Sequence, residues 1–524
     1  LLVTVAMMNI AAQTEEYERV HYEEICLFQC SLEITTGEDT VLIPRPLKAS
    51  AIDEDTKMAS LIYRNVNEYA VGHTCSAAWE EQDGHITSVK STWLPSFTVK
   101  SMSSSGIREF KIIGNDQETP VLSTSWLSTA NGTSLVAGLR LLPSIYLEWL
   151  DGQKLKTSDL DSDQKNQANK HFESAELVAN RMLGSIKLIE SDPVVEASFR
   201  LANKAIMLQR QWFIGDEDSI LVWRPFQLAF ILLSLESLVN PSHPDRKTAD
   251  LLWFPTGGGK TESYLGLIAF LLFYRRYTYG EEGSGVAAIM RYTLRLLTVQ
   301  QFQRAASLIC ACEYLRLGNG VPKGIPKLSS QTPFSLGLWV GGDTTPNNFE
   351  IAKKALSVDT AHNRPDQLKY CPVHISRKLQ WIAQANTESI HAHCPDEDCL
   401  WHQSKAPLPV WTVDPDIYKT RPSLLIGTVD KFAQIARRAE TSSLFGLPNL
   451  NRKPDLIIQD ELHLISGPLG TLTGLYEVAI DELCSDDEGP AKVIASTATI
   501  RQASSQIKAL FNRDTCLFPP PIVD

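Results

Sequence analysis

Residues 250–270, DLLWFPTGGGKTESYLGLIAF, decide how this chain folds. The run DLLWF is short and apolar enough for a buried strand, and the segment from Lys260 onward is a long apolar helix. Between them stand three successive glycines, Gly257, Gly258 and Gly259, which let backbone N–H groups wrap around an anion, and the start of the following helix adds its positive dipole. Such a turn suits a polyphosphate. Lys260 would reach the β- and γ-phosphates of ATP and the Thr261 hydroxyl would ligate Mg²⁺, with Thr256 and Glu262 completing the cofactor-binding set. The full phosphate-loop pattern GxxxxGK[ST] is not met, because Trp253 and Phe254 stand where a leading glycine would fall.

Further along, KPDLIIQDELHLISG (453–467) is a second apolar strand ending in the paired carboxylates Asp460 and Glu461, followed by His463. Strand ends of this kind face the crevice where open α/β sheets bind ligands. Asp460 would hold Mg²⁺, and Glu461 would orient and deprotonate the attacking water; His463 belongs to the same candidate catalytic group as Lys260, Asp460 and Glu461. GVAAIMRYTL, FSLGLWVGG, SLLIGTVDKF and KVIASTAT are further short apolar strands separated by helical segments, a pattern that predicts a parallel sheet with helices on both faces.

The whole chain has 524 residues, enough for about three domains. The spacing predicts an N-terminal α+β region over 1–142, a helical connector over 143–215, and the α/β domain over 216–524 with an insertion at about 343–422. The net charge of −12 argues against a uniformly basic nucleic-acid coat but leaves room for a local groove. No apolar run approaches the ~20 residues of a membrane span, the first residues lack a basic segment typical of a signal peptide, and the ten cysteines are irregularly spaced. These features predict a cytoplasmic protein with reduced thiols and no membrane partner.

In the order PTGGGKTE, DELH and STAT (Ser496 to Thr499), these segments match motifs I, II and III of superfamily 2 helicases, and residues 220–512 resemble the first RecA-like domain of that superfamily. The resemblance implies a RecA-like P-loop NTPase fold and an adenine-reading Gln227 in RPFQ. It also implies backbone contacts to nucleic acid from MRYTLRLLTVQQ (290–301), VGG (340–342) and GTVDKF (427–432). There Arg291, Thr293, Arg295, Gly341, Gly342, Thr428 and Lys431 would position a strand without reading its bases. Ser496, Thr497 and Thr499 would couple hydrolysis to that strand.

More narrowly, PTGGGKTESYLGL, YRNVNEYAVGHTCSAAWE (63–80), the segment 182–212 and ATIRQASSQIKALF (498–511) followed by LFPPPIVD resemble the helicase-like subunit of the bacterial DISARM anti-phage system. That implies ATP-dependent translocation on, or remodelling of, invading DNA, alongside the companion subunit DrmB and a separate methyltransferase. Superfamily 2 enzymes use a second RecA-like domain carrying an arginine finger, and this chain ends soon after motif III. It is therefore expected to be a piece of a longer protein, or a subunit completed by a partner. Two other readings stay open: an RNA helicase, since backbone contacts do not separate the two sugars, and a clamp that binds ATP without turnover.

Within the insertion, Cys371 and His374 are spaced C-x2-H, and Cys394 and Cys399 are spaced C-x4-C, so two pairs could converge on a structural Zn²⁺. His391, His393 and His402 are competing ligands. Cys26, Cys30, Cys75 and His73 are a second set, for which core packing is the preferred reading.

Overall fold

The computed structural model describes the chain except residues 1–2, 11–25, 38–39, 46–52, 97–109, 115–116, 256, 294, 359–361, 449–450, 500 and 524, and gives only the backbone of 111–114, 117–119 and 295–297. It divides into two compact units. One comprises Leu1–Ser103, Asp161–Gln167 and Val523–Asp524. Its described core is a small antiparallel sheet in the order β1 (Glu33–Thr35), β3 (His85–Thr92), β2 (Ser76–Gln82), joined by helix α1 (Glu54–Ile62). The Asp53 side chain caps α1 by accepting from the Thr56 N–H at 2.8 Å.

The second unit, Ser104–Leu160 and Ala168–Ile522, holds the remaining elements. A hairpin of β4 (Lys111–Gly114) and β5 (Gln117–Pro120) leads into helices α2 (Thr124–Thr129), α3 (Gly132–Lys154), most of α4 (Ser162–Ser191), α5 (Pro193–Ile214) and α6 (Pro225–Val239). The boundary expected between 142 and 143 therefore falls inside α3, which continues through Pro143. Its apolar residues Leu135, Val136, Leu139 and Leu142 follow the helical period and are buried.

The α/β part carries strands β6 (Thr248–Trp253), β7 (Ala288–Tyr292) and β8 (Leu336–Trp339), the hairpin β9 (Gln380–Gln384) and β10 (Ser389–His393), then β11 (Val410–Trp411), β12 (Leu424–Thr428), β13 (Leu456–Gln459), β14 (Lys492–Thr497) and β15 (Asp514–Phe518). The intervening helices are α7 (Lys260–Tyr279), α8 (Arg295–Arg316), α9 (Phe349–Leu356), α10 (Asp414–Thr420), α11 (Gly467–Leu483) and α12 (Ala503–Phe511). Eight strands form one parallel sheet in the order β11-β8-β12-β7-β13-β14-β6-β15.

Alternate residues of each strand feed two different cores, which is why the strands read as continuous apolar runs. Leu252, Met290, Ile426, Leu456 and Ile458 pack with α5, α6, α7 and α8 on one face. Leu251, Ile289, Leu425 and Ile457 pack on the other face with Ile417 of α10, Ile480 of α11 and Ile507 of α12. Buried residues of α4 and α5, such as Val178 and Phe199, join the first core, so the segment expected as a connector is a layer of the α/β unit. The expected insertion is also partly integrated, since Val410 and Trp411 pair with β8 at the sheet edge. Among the described residues, no helix is long and apolar enough to cross a membrane.

Candidate functional site

The phosphate-loop candidate lies at the C-terminal end of β6, where α7 begins. Gly257 and Gly259 have φ of +80° and +89°, a left-handed backbone that glycine adopts without strain. At Gly258 a Cβ would fall 2.3 Å from the Phe254 ring, so all three positions need glycine for reasons of conformation or space. Lys260 is buried and its Nζ donates to the Phe254 carbonyl oxygen at 2.9 Å, within the turn itself. Thr261 is buried in the first turn of α7. Thr256 lies outside the described residues.

Two residues of RPFQ fasten this turn. The Gln227 amide accepts from the Arg224 N–H at 2.9 Å and donates to the Gly259 carbonyl at 2.7 Å, while Arg224 Nη1 donates to the Gly258 carbonyl at 2.6 Å. Phe226 stacks on Phe254 with centroids 3.8 Å apart, which explains the aromatic residue where a glycine was expected. Glu262 pairs with Arg304 of α8. The roles of Arg224 and Arg304 were missed in the sequence; Arg224 stands inside the quoted RPFQ, whereas nothing local marks Arg304.

Strand β14 lies between β6 and β13, with Ala495 opposite Gln459 and Thr497 opposite Trp253. The ends of three neighbouring strands thus bring the glycine turn, Asp460 and Ser496 to one sheet edge. Asp460 is buried; its Oδ1 accepts from the Ser496 hydroxyl and, at 3.0 Å, from the Glu461 N–H. Glu461 itself is at φ +49°, a left-handed backbone costly for a residue with a Cβ. Its Oε2 lies 3.5 Å from His463 Nδ1, which is in turn 3.4 Å from the Thr497 hydroxyl. Thr497 Oγ1 also donates to the Thr499 carbonyl at 2.8 Å and accepts from the Thr499 N–H at 3.2 Å. Motifs II and III are therefore wired together by side chains.

Three residues assigned to nucleic acid are placed differently. Arg291 alternates into the sheet interior, fully buried, paired with Glu477 of α11 and lying over the Phe432 and Phe511 rings. Burial pushes the Glu477 carboxyl up, against the pull of Arg291. Lys431 is buried too, donating to Asp414 at 2.9 Å and to Asn347 at 3.2 Å. The Thr428 hydroxyl ends a central strand and is buried. Arg291 and Lys431 thus have acidic protein partners inside the fold, whereas the buried Thr428 hydroxyl has no hydrogen-bond partner among the described residues. Thr293, Gly341 and Gly342 are half-buried just past strand ends, and the Arg295 side chain lies outside the described residues.

The cysteine cluster forms as expected. Among the described residues, Cys371, His374, Cys394 and Cys399 are the group whose ligand atoms gather, all within 4.8 Å of one another. The Cys371 and Cys399 sulfurs are 4.0 Å apart, and Cys394 Sγ is 3.8 Å from His374 Nδ1. Tetrahedral zinc, with bonds of about 2.3 Å to sulfur and 2.0 Å to nitrogen, places its ligand atoms at close to these separations, so the four residues can hold the ion. The hydrogen bond from Cys371 draws the Cys399 thiol below its ordinary value, toward the thiolate a metal needs. Of the competing histidines, His402 bonds Ser404 at 2.8 Å and His391 packs against Trp411, while the buried His393 lies outside the gathered set. Cys26, Cys30 and Cys75 are half-buried, and among the described residues they belong to no gathered ligand set.

An eight-stranded parallel sheet, with a motif III strand between the phosphate-loop and acidic strands, defines a RecA-like P-loop domain with the motif order of superfamily 2 helicases. The chain is similar to the DISARM protein DrmA of Bacillus paralicheniformis, with which it is 33% identical over 94% of its own length. The chain spans about half, 49%, of that relative's length. No protein-family model matches it. Solved structures with a looser likeness include the DUF1998 helicase MrfA (13% identity, TM-score 0.33, covering 60% of this chain and 32% of that one). Another is Mss116p bound to ssRNA and AMP-PNP (12%, 0.31, 56% and 42%).

Proposed function

We propose that this chain supplies the phosphate-binding half of an ATP-hydrolysing motor acting on invading DNA in an anti-phage defence complex. The observation that carries the reading is the convergence of Lys260 and Thr261 with Asp460, Glu461 and Ser496 at the ends of adjacent parallel strands. The backbone of Gly257 to Gly259 would cradle the phosphates, with Lys260 Nζ leaving the Phe254 carbonyl for the β- and γ-phosphates. Gln227, already joined to Gly259, would read adenine from the same position. Mg²⁺, held by Thr261 and Asp460, would offset the phosphate charge.

Glu461 would take the proton of the attacking water, with His463 beside it to fix the carboxylate and pass its position to Thr497. The strand-contacting surface would include Thr293, Arg295, Gly341 and Gly342, and the companion subunit would be DrmB. The test is ATP turnover by the full-length protein: stimulation by DNA, and its loss in Glu461→Gln, are expected.

The Cys371, His374, Cys394 and Cys399 set would hold a structural Zn²⁺ that staples the insertion, since four protein ligands leave no open position for catalysis. Purified protein is expected to contain about one zinc per chain by elemental analysis, and Cys394→Ser to lose it with a loosened insertion. Full zinc retention in Cys394→Ser would contradict this assignment.

A further inference from the structure

We infer that Gln506, on the helix after motif III, is a positioning residue that holds Glu461 in register for its role with the attacking water. The inference rests on the hydrolytic reading above. The loop after β13 makes one tight turn, Leu462–Leu464, closed by bonds from the Leu464 N–H to the Glu461 carbonyl at 3.0 Å and from the Ile465 N–H to the Leu462 carbonyl at 2.9 Å. Such a turn leaves the Ile465 carbonyl without a partner in the turn and the second lone pair of the Leu462 carbonyl open to another donor. Gln506 Nε2 supplies both of its hydrogens, donating to the Leu462 carbonyl at 2.9 Å and to the Ile465 carbonyl at 2.6 Å.

The clamp spans both ends of the turn and demands a primary amide at that reach. A carboxylate in its place would face two carbonyl oxygens with no hydrogen to give, and a shorter side chain would not reach them. Glu461 immediately precedes this turn with its backbone at φ +49°, a conformation that persists only where surrounding bonds over-determine it. Gln506 lies on α12, seven residues beyond Thr499, and Ile507 beside it is anchored in the sheet core. The helix that follows motif III therefore grips the loop of motif II by a second route, independent of the Thr497 and His463 contact.

The test uses Gln506→Met, which keeps length and removes both donors without adding charge, and Gln506→Glu, each in the full-length protein. Amide hydrogen exchange over residues 461–466 is expected to accelerate in both variants, with exchange in α7 and β6 unchanged. For ATP hydrolysis, kcat is expected to fall about ten- to a hundredfold, the scale of a misplaced catalytic group, with KM within about twofold. In a Glu461→Gln background, adding Gln506→Met is expected to have no further effect on kcat, because the clamp acts through Glu461.

Unchanged exchange across the loop would overturn the inference, as would parent-like kcat or an additive loss in the double variant. If Glu461→Gln hydrolyses ATP like the parent, the hydrolytic reading fails along with the positioning role. Loss in Glu461→Gln but not in Gln506→Met removes the positioning role alone. A variant that merely unfolded would show accelerated exchange in α7 and β6 as well, and would count against the local clamp.

Discussion

Replacing Lys260 with Ala in the full-length protein is expected to lower ATP hydrolysis by about a hundredfold or more, on the scale of deleting a donor aimed at transition-state charge. Lys260 is buried at the start of α7 and its ammonium already points back into the turn, at the Phe254 carbonyl, where a phosphate oxygen would compete for it. The loss would be functional, not structural. The turn retains the Arg224 and Gln227 bonds to Gly258 and Gly259, so unfolding temperature is expected to stay near that of the parent. Hydrolysis by Lys260→Ala as fast as the parent would remove the phosphate loop from the chemistry.

The largest effect on stability is expected at Asp250. It is fully buried in β6, where its two oxygens accept from Arg181 Nη1 and Nη2 at 2.8 Å each, and Lys492 Nζ lies 3.0 Å away. Burial alone would raise its carboxyl, but Lys492 and Arg181 hold it below the usual carboxylate range. Lys492 pays in the other direction: burial draws it down to about 8. Asp250→Ala would leave two cations buried without their shared anion, at a cost of about 3–5 kcal/mol. The same residue ties α4 to the strand that ends in the phosphate loop, so a lowered urea midpoint and impaired nucleotide binding should appear together. A midpoint within about 0.2 M of the parent would contradict this.

The glycine turn and the acidic strand end of the candidate site were legible because their signals are local. Glycine spacing, Lys260, Thr261 and the Asp460–Glu461 pair fall within two short segments whose flanking strands announce themselves by continuous apolar runs. The cysteine set was legible for the same reason, since two short spacings define the ligands. The contacts that position these groups were not. Gln506 and Arg304 sit in ordinary helical sequence, and only the fold brings them to the DELH loop and to Glu262.

Charge misled where partners were distant. Arg291 and Glu477 are far apart in sequence, and Lys431 meets Asp414 of α10 across the intervening strand β12, so neither burial could be read from the motif alone. Ser- and Thr-rich composition similarly concealed the helical period of residues 132–142, which belong to α3. The edge strand β15 escaped notice because Asp514–Phe518 is short and ends at a run of prolines.

The most direct measurement of the central claim is ATP hydrolysis by the full-length protein with single-stranded DNA, duplex DNA, RNA or no nucleic acid, beside Glu461→Gln. The account predicts turnover that DNA stimulates more than RNA does and that Glu461→Gln lowers by about a hundredfold or more, the scale of a lost general base, while still binding nucleotide. Nucleotide binding with no turnover under any of these conditions would contradict a motor and leave a clamp.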